Sequence, residues 1–578
     1  MIHPNHCART AVNLRISFNA ALKASALALI IASAATTQAA DPTTVEAQRR
    51  CEQLTSVTNQ PDAAFRVLHA TWQSGKESGA PDRPPLPPHC DVQGIYGERT
   101  GADGQSYAVK FHVRLPLNWN QRLLFQGGGG LNGHIGDAIG HLGGSAPALV
   151  KGFAVVSHDS GHDAKSNNDP ARGGEAAFGF DFQARKNYAH ASIPNTHKIA
   201  TTLINQWYSQ APQQSYFYGC SKGGQEGMIA AQRYPELFDG IVAIAPGMSL
   251  PKAAIAQAWD TQAFASLLNK EDGSLQLGNT FSVAQLQVAS DAFLAACDEL
   301  DGLKDGIIHH FPACTKDKVY PALQARSCSS DGDQNCLSSA QINALKKSFE
   351  GAMNSQGEAL YTSFPFDTGI ADFGWRMWKL GNPQMPPLNV VLGMPALASV
   401  FSTPPQALEA AGDKLLRHQQ EFNFDRDAAV IFATNKDFPE SAWELMHATS
   451  PNLDQFKASG GKLVVVHGVS DPVFSINDTI AWWNQVDARY KGDAKEFVRL
   501  FPVPGMGHCQ GGPATDQFDA FSALLDWTER GVAPESILAT AGPSTPWPGI
   551  ERPLCAYPTL LTYRAAENLS EDGTFECR

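Results

Sequence analysis

Short apolar runs alternate with amphipathic runs in two separate parts of the chain. The strand-like runs of the first part are AVKFHVRLPL, QRLLFQGGGG, GFAVVSHDSG, QSYFYGCS and FDGIVAIAPG. The second part contains GGKLVVVHGVSDP and FVRLFPVPGMGHC, and segments such as IPNTHKIATTLINQWY show helical periodicity. Apolar strands that alternate with helices form a mostly parallel sheet with helices on both faces. The pattern therefore predicts an α/β fold.

The alternation stops in the middle of the chain. Residues 251–452 are rich in Trp, Pro and Asn and contain short helical pieces, and the α/β pattern resumes after residue 452. We therefore expect one α/β domain, formed by 41–250 and 453–578, that is interrupted by an inserted lid domain, 251–452. At the start of the first part, residues 41 to about 80 are predicted to be partly helical, and PDRPPLPPHC is predicted to be a proline-rich loop.

The first forty residues have the pattern of a secretory signal peptide. They contain Arg9, Arg15 and Lys23 but no acidic residue, and the apolar run ALALIIASAA is followed by small residues suited to cleavage. A membrane anchor is the alternative, but the apolar run is too short to cross a bilayer. We therefore expect a secreted or periplasmic protein without residues 1–40.

Ten cysteines remain after residue 40, an even number in a chain bound for an oxidising compartment. This favours five disulfides over buried free thiols, and the lack of any C-x2-C pair argues against zinc. The net charge of −13 and the absence of a Lys/Arg-rich block argue against nucleic acid and anionic membrane surfaces as partners. The cysteines are Cys51, Cys90, Cys220, Cys297, Cys314, Cys328, Cys336, Cys509, Cys555 and Cys577.

A G-x-S-x-G motif places Ser221 between a predicted strand and a predicted helix. In this context the motif is typical of a nucleophile elbow, in which a sharp turn exposes the serine. The alternative is a serine that only caps the helix. The nucleophile needs one backbone N–H from the following residue, Lys222, and a second from the glycine-rich run FQGGGGLNG to hold the oxyanion. Gly130 is the first candidate for the second donor and Gly129 is the next.

A serine nucleophile needs a histidine base and a carboxylate that orients it. Asp471 and His508 each follow a predicted strand, in the chain order Ser, Asp, His that the α/β-hydrolase fold uses. Their loops are expected at the sheet edge that carries Ser221. His467 is the competing base, although it precedes the aspartate and lies closer to its strand. Polar loop residues without a catalytic role are the alternative.

The segment CDELDGLKDGIIHHFPAC has the oxygen-rich composition of a calcium loop. Asp298, Asp301 and Asp305 supply carboxylates, and the backbone carbonyls of Leu303 and Ile307 could complete the ligand set of Ca²⁺. The spacing differs from that of an EF-hand. A solvated acidic loop is the alternative.

Three blocks, GCSKGG, GVSDP and PGMGHCQGGP, resemble the signature blocks of the tannase and feruloyl esterase family. The resemblance implies an α/β-hydrolase fold with a large inserted lid domain and a structural Ca²⁺ in the CDELDGLKDGII loop of that domain. It also implies a set of disulfide pairs. These pairs are Cys51–Cys90, Cys220–Cys509, Cys297–Cys314, Cys328–Cys336 and Cys555–Cys577.

The same resemblance implies a substrate class, namely small esters of aromatic acids of the feruloyl, galloyl or mono(2-hydroxyethyl) terephthalate type. Trp378 and Phe474 would line the acyl pocket. The runs AFGFDFQAR, GWRMW and FSTPP are most similar to the bacterial branch that hydrolyses terephthalate monoesters. That branch holds the free carboxylate with a lid arginine, but the matching stretch around Leu388 contains no arginine. Arg376 and Lys379 are the candidates to replace it.

The expected function is therefore that of a secreted, monomeric serine esterase. A serine carboxypeptidase-like peptidase could share the fold and is an alternative enzyme. A noncatalytic protein that binds aromatic ligands on a hydrolase scaffold is an alternative of another class, because fold alone does not fix function.

Overall fold

A nine-stranded mixed sheet, with strand order β1-β2-β3-β5-β4-β6-β7-β8-β9, organises the chain. The computed structural model describes residues 42–57, 65–75, 84–268, 276–329, 333–564 and 574–578. The strands are β1 (Phe65–Gln73), β2 (His89–Thr100), β3 (Ser106–Pro116), β4 (Arg122–Gln126), β5 (Ala154–His158), β6 (Gln214–Cys220), β7 (Gly240–Ile244), β8 (Lys462–Gly468), β9 (Val498–Val503), β10 (Gln517–Phe518), β11 (Ser536–Thr540), β12 (Glu551–Cys555), β13 (Leu561–Arg564) and β14 (Thr574–Cys577).

Fourteen α-helices occur in the described residues, together with short 3₁₀ and π turns. The helices are α1 (Pro42–Gln53), α2 (Phe182–Lys186), α3 (Ser192–Tyr208), α4 (Lys222–Arg233), α5 (Leu250–Ala265), α6 (Val283–Cys297), α7 (Lys316–Gln324), α8 (Ser339–Glu350), α9 (Phe373–Lys379), α10 (Gly412–Glu421), α11 (Ala442–Met446), α12 (Asp454–Ala458), α13 (Ile476–Arg489) and α14 (Ala520–Arg530). The predicted signal peptide, residues 1–40, lies outside the described residues.

The sheet is parallel from β5 through β9, as the apolar runs predict. Side chains that alternate along β8 enter two different cores. Leu463 and Val465 pack on one face with residues of α3, α4 and α13, and Val464 and Val466 pack on the other face with residues of α14. Each fully buried side chain of this kind contributes about 1.5–3 kcal/mol. Helices on both faces therefore explain why these strands are apolar throughout.

The N-terminal edge of the sheet differs from the sequence prediction. β1, β2 and β3 pair antiparallel, and β3 pairs antiparallel with β5. The segment predicted to be partly helical does contain α1, but Phe65–Gln73 is a strand, and β2 was not predicted. These strands are partly exposed and carry many polar residues, so they lack the continuous apolar run of a central strand. The small sheet β10-β11-β12 and the hairpin β13-β14 near the C-terminus were also not predicted.

The helical insertion connects β7 to β8, which are neighbours in the sheet. Its helices α5 to α11 surround a large apolar core, which also includes Leu131, Tyr188 and Phe474 of the hydrolase part. Glu46–Arg578 accordingly forms one compact unit. Five disulfides join the pairs that the family resemblance implies. Among the helices described, none has the length and apolar character needed to cross a membrane.

Candidate active site

Ser221 lies in the sharp turn between β6 and α4. Its backbone has φ 63° and ψ −120°, a left-handed conformation that costs energy in a residue with a side chain. The turn closes only because its flanks are glycines. A Cβ on Gly219 would come within 2.5 Å of Gly223, and a Cβ on Gly223 would come within 2.6 Å of the Gly128 carbonyl oxygen. The local sequence therefore forms the predicted elbow.

The other two predicted catalytic side chains meet Ser221 in one hydrogen-bonded chain. His508 Nε2 lies 2.8 Å from Ser221 Oγ, and His508 Nδ1 lies 2.8 Å from Asp471 Oδ2. Asp471 is buried, and its Oδ1 accepts the backbone N–H groups of Val473 and Phe474. Burial alone would raise the pKa of Asp471, but the adjacent imidazoles outweigh it and hold the pKa well below its usual value. The aspartate therefore stays ionised beside His508.

His467, the competing base, lies away from the serine. Its Nδ1 lies 2.9 Å from Thr479 Oγ1, and its Nε2 lies 3.0 Å from the Phe474 carbonyl oxygen and 3.5 Å from Asp471 Oδ2. The side chain is fully buried. His467 therefore lies beside Asp471 and makes no hydrogen bond to Ser221.

The two predicted oxyanion donors border the same cavity as Ser221. Gly130 and Lys222 both line this cavity, whereas Gly129 lines a second groove that also reaches Ser221. Gly130 has φ 58°, and its carbonyl oxygen accepts the hydroxyl of Tyr188 at 3.1 Å. Tyr188, which the sequence analysis missed, thereby holds the Gly130–Leu131 peptide, which directly follows the peptide that carries the Gly130 N–H.

A buried ion pair lies directly under the elbow. Lys222 Nζ donates to Glu226 Oε1 at 2.9 Å, and both side chains are 1% exposed. Glu226 also accepts the backbone N–H of Gly128 at 3.0 Å and the side-chain amide of Asn132 at 2.8 Å. Burial would raise the pKa of Glu226, but the charge of Lys222, the nearby His158 and the hydrogen bond from the Gly128 N–H together outweigh it and lower the pKa. The pair thus ties the glycine-rich loop to the first turn of α4.

Glu226 was also missed by the sequence analysis, although a signal was present. Lys222 and Glu226 are four residues apart, the spacing that places two side chains on one face of a helix. The glycines that follow Ser221 mark this helix turn as tightly packed, so the pair could have been predicted to be buried.

A disulfide joins the elbow to the histidine loop. Cys220 precedes Ser221 and Cys509 follows His508, and the two cysteines are bonded across 289 residues of sequence. Cys509 has φ 69°, so the backbone is left-handed at both Ser221 and Cys509. Such conformations persist where the surroundings hold them in place, and the bridge is one of these restraints.

A carboxylate of the insertion holds both loops that carry Asp471 and His508. Asp367 Oδ2 accepts the hydroxyl of Ser470 at 2.8 Å and the backbone N–H of Gly505 at 2.6 Å. Ser470 directly precedes Asp471, and Gly505 lies three residues before His508. Asp367 is fully buried, and this burial raises its pKa to about 6. The sequence gives no local sign of this contact, because its partners are more than 100 residues away.

The predicted substrate-binding aromatics both contact the histidine. The ring centroids of Trp378 and Phe474 lie 5.6 and 5.4 Å from that of His508, both edge to face. Both side chains line the cavity at Ser221. The remaining lining is largely apolar and includes Leu250, Leu392 and Phe401. This cavity is therefore suited to a planar apolar group.

Neither candidate replacement for the lid arginine lines this cavity. Arg376 donates to the carbonyl oxygens of Phe281 and Gly278, at 2.8 and 2.6 Å. Lys379 is paired with Asp260, and both side chains are 2% exposed. Their charges are therefore engaged inside the insertion.

The predicted calcium loop presents its three carboxylates to its own backbone. Asp298 accepts from Gly306 N–H, Asp301 from Leu303 and His309 N–H, and Asp305 from Ile307 N–H and from Arg552. Asp298 and Asp301 are buried. Within the described part of the chain, no group of three His, Cys, Asp or Glu side chains stands at metal-binding spacing. The oxygen donors fit Ca²⁺ chemically, and the arrangement is that of a hydrogen-bonded loop.

The fold and the Ser221 elbow define the class, an α/β-hydrolase. Residues 90–578 match the family model described as tannase and feruloyl esterase. The mono(2-hydroxyethyl) terephthalate hydrolase of Piscinibacter sakaiensis is 39% identical over 542 residues, which cover 89% of each chain. A probable feruloyl esterase of Arthroderma benhamiae is 27% identical over 482 residues, covering 81% of this chain and 82% of the relative.

Two solved structures share the fold. Feruloyl esterase B from Aspergillus oryzae has a TM-score of 0.72 at 21% identity, covering 92% of this chain and all of the other. The tannin acyl hydrolase from Aspergillus niger has a TM-score of 0.64 at 21% identity, covering 89% of this chain and 91% of the other. The chain belongs to the tannase and feruloyl esterase family. It is a carboxylic ester hydrolase, and this decides among the three function classes that the sequence leaves open.

Proposed function

We propose that this protein is an exported serine esterase that hydrolyses small esters of aromatic acids. The observation that carries the proposal is the chain of two 2.8 Å contacts from Ser221 through His508 to Asp471, at a cavity lined by aromatic and apolar side chains. The names of the relatives, a feruloyl esterase and a terephthalate monoester hydrolase, support aromatic acyl groups. The substrate is a small molecule, and the protein acts as a monomer.

The reaction proceeds through an acyl-enzyme. Ser221 Oγ attacks the ester carbonyl carbon while His508 Nε2 takes the hydroxyl proton. The tetrahedral intermediate then expels the alcohol, which leaves with the proton from His508. Water attacks the acyl-enzyme and gives a proton to His508, and the carboxylic acid departs as Ser221 regains its proton. Asp471 orients His508 and stabilises its protonated form.

The backbone N–H groups of Gly130 and Lys222 hold the oxyanion in this proposal. Tyr188 holds the peptide that follows Gly130, and Glu226 holds the backbone N–H of Gly128 before it, so the donor loop is restrained on both sides. Donors that are held before the reaction need no reorganisation as charge develops on the oxygen, so they favour the transition state over the substrate.

The substrate test is a hydrolysis panel of methyl ferulate, methyl gallate, chlorogenate and mono(2-hydroxyethyl) terephthalate. We expect turnover of at least one of these esters, and Ser221→Ala should lower kcat by about 10⁴-fold or more. Ser56→Ala, which changes an exposed serine distant from Ser221 in the sequence, serves as the matched control. Wild-type turnover by Ser221→Ala, or cleavage of peptides but of no aromatic ester, would contradict the proposal.

Export and calcium form part of the same proposal. Five disulfides suit an oxidising compartment, and the signal-like pattern of residues 1–40 predicts removal of that segment. Ca²⁺ bound by Asp298, Asp301, Asp305 and the carbonyls of Leu303 and Ile307 would stabilise the insertion. N-terminal sequencing of protein recovered outside the cytoplasm tests the first point.

Chelation tests the second point. A calcium chelator should lower the melting temperature of the wild type, added Ca²⁺ should restore it, and Mg²⁺ should not. Asp301→Asn should already melt at the lower temperature and show no response to the chelator. A wild-type melting temperature that is unchanged by the chelator would remove calcium from the proposal.

A further inference from the structure

One polar side chain in the acyl cavity has an amide oxygen without a partner. Gln257 lies on α5, on the same helix face as Leu250 and Ala254, and all three line the cavity with Ser221. Gln257 is 7% exposed, and its Oε1 is buried without a hydrogen-bond partner among the described residues. Buried polar groups are nearly always hydrogen-bonded. The Oε1 atom packs against the backbone of Gly393, which lines the same cavity, so a rotation of the amide is needed to turn it toward a bound ligand. An unsatisfied amide at this position therefore indicates a polar group of the substrate that the rotated amide would bind.

The same cavity offers no free positive charge. Within the described residues that line it, the one charged side chain is Lys222, and its ammonium is paired with Glu226. Arg376 and Lys379 are engaged elsewhere in the insertion. A carboxylate on the acyl ring would therefore be buried without a counter-ion, which is strongly unfavourable.

We infer that Gln257 recognises a neutral hydroxyl substituent on the acyl ring and that the cavity disfavours a ring carboxylate. A side-chain amide both donates and accepts hydrogen bonds, so it pairs with a hydroxyl in either of its two orientations. Gln257 is then a specificity residue that has no part in the bond-breaking steps. The inference rests on the proposed aromatic esterase activity.

The test uses three methyl esters that differ only at the para position of the ring: methyl benzoate, methyl 4-hydroxybenzoate and monomethyl terephthalate. Wild-type kcat/KM should be about tenfold higher for the hydroxyl ester than for the unsubstituted ester, as expected for one buried hydrogen bond. It should be lowest for the carboxylate ester. Gln257→Met, which keeps the length of the side chain, should make kcat/KM equal for the hydroxyl and unsubstituted esters.

Gln287→Met, the same exchange on an exposed position of α6, is the control and should keep the wild-type order. A melting temperature of Gln257→Met close to that of the wild type shows that the variant is folded. Equal wild-type rates on all three esters, or an unchanged hydroxyl preference in Gln257→Met, would overturn the inference and leave the esterase proposal standing. Failure of the wild type to hydrolyse any aromatic ester would instead overturn the proposed function and the inference with it.

Discussion

The hydrolase part and the insertion each form one wall of the active-site cavity, and the side chains of the two walls are held in different ways. On the hydrolase wall, the turn that carries Ser221 is held by a disulfide, a buried ion pair and a hydrogen bond to His508. On the wall formed by the insertion, Trp378 and Gln257 are held mainly by packing. Small displacements of reacting groups cost rate, whereas the fit of a ring in a pocket mainly affects binding. We therefore expect the hydrolase wall to set kcat and the other wall to set selectivity.

The largest effect on kcat is expected from a substitution at Asp471, on the hydrolase wall. Asp471→Asn should lower kcat by about 10⁴-fold on every ester, because an amide cannot orient and stabilise protonated His508 as a carboxylate does. KM should change little. Steady-state kinetics on an aromatic and an aliphatic ester measure both constants, and Asp493→Asn, an exposed site, is the control. A loss confined to aromatic esters would assign Asp471 to substrate recognition.

Removal of Glu226 tests whether the buried ion pair serves rate or only stability. Glu226→Leu leaves Lys222 as an unpaired buried cation and should cost about 3–5 kcal/mol of the free energy of unfolding. It should also lower kcat by roughly 10²-fold, because the Gly128 N–H loses its acceptor and the glycine-rich oxyanion loop, which carries Gly128 and Gly130, becomes less rigid. Urea unfolding and kcat measure the two effects.

The double variant Lys222→Met/Glu226→Leu separates these two effects. Replacing both charges should restore most of the stability, but kcat should stay low because the loop still lacks its carboxylate. Recovery of kcat together with stability would show that the pair has no role in positioning the oxyanion loop.

A change on the opposite wall should act on binding. Trp378→Ala should raise KM for aromatic esters by about tenfold through loss of ring contacts, with kcat within about threefold and p-nitrophenyl acetate almost unaffected. Phe373→Ala is the matched control, because Phe373 lies on the same helix and is 70% exposed. A fall in kcat equal for all esters would place Trp378 with the hydrolase wall.

The smallest effect on turnover is expected from Asp367→Asn. Asp367 belongs to the insertion and contacts both catalytic loops of the hydrolase wall. Its pKa of about 6 in the folded protein exceeds the usual value of 3.8, so the folded state binds this proton more tightly than the unfolded state. Asp367 therefore favours the folded state below about pH 4, and this contribution is lost as the pH rises through 6, a change on the order of 3 kcal/mol. Asp367→Asn should remove that change, measured by urea unfolding at pH 4 and pH 7.5. An identical pH dependence in both proteins would contradict the assignment.

The features that could be predicted from the sequence are those whose signal lies within a short run of consecutive residues. The parallel strands appear as apolar runs, and the elbow is marked by glycines that the turn requires, so both could be predicted. The exposed antiparallel strands β1 and β2 carry mixed residues and were missed. Asp367, Gln257 and the partners of Arg376 depend on contacts between distant segments, and only the fold brings them together. The signal peptide and the calcium ion stay predictions.

The bridge between Cys220 and Cys509 closes a ring of chain that contains the whole insertion. Both ends of the insertion also enter neighbouring strands, β7 and β8. The covalent link from the serine turn through the disulfide to the histidine loop therefore does not depend on the length or sequence of the insertion. For protein engineering, an exchanged insertion would keep this covalent link, but it would also have to supply the carboxylate of Asp367, which holds the two catalytic loops.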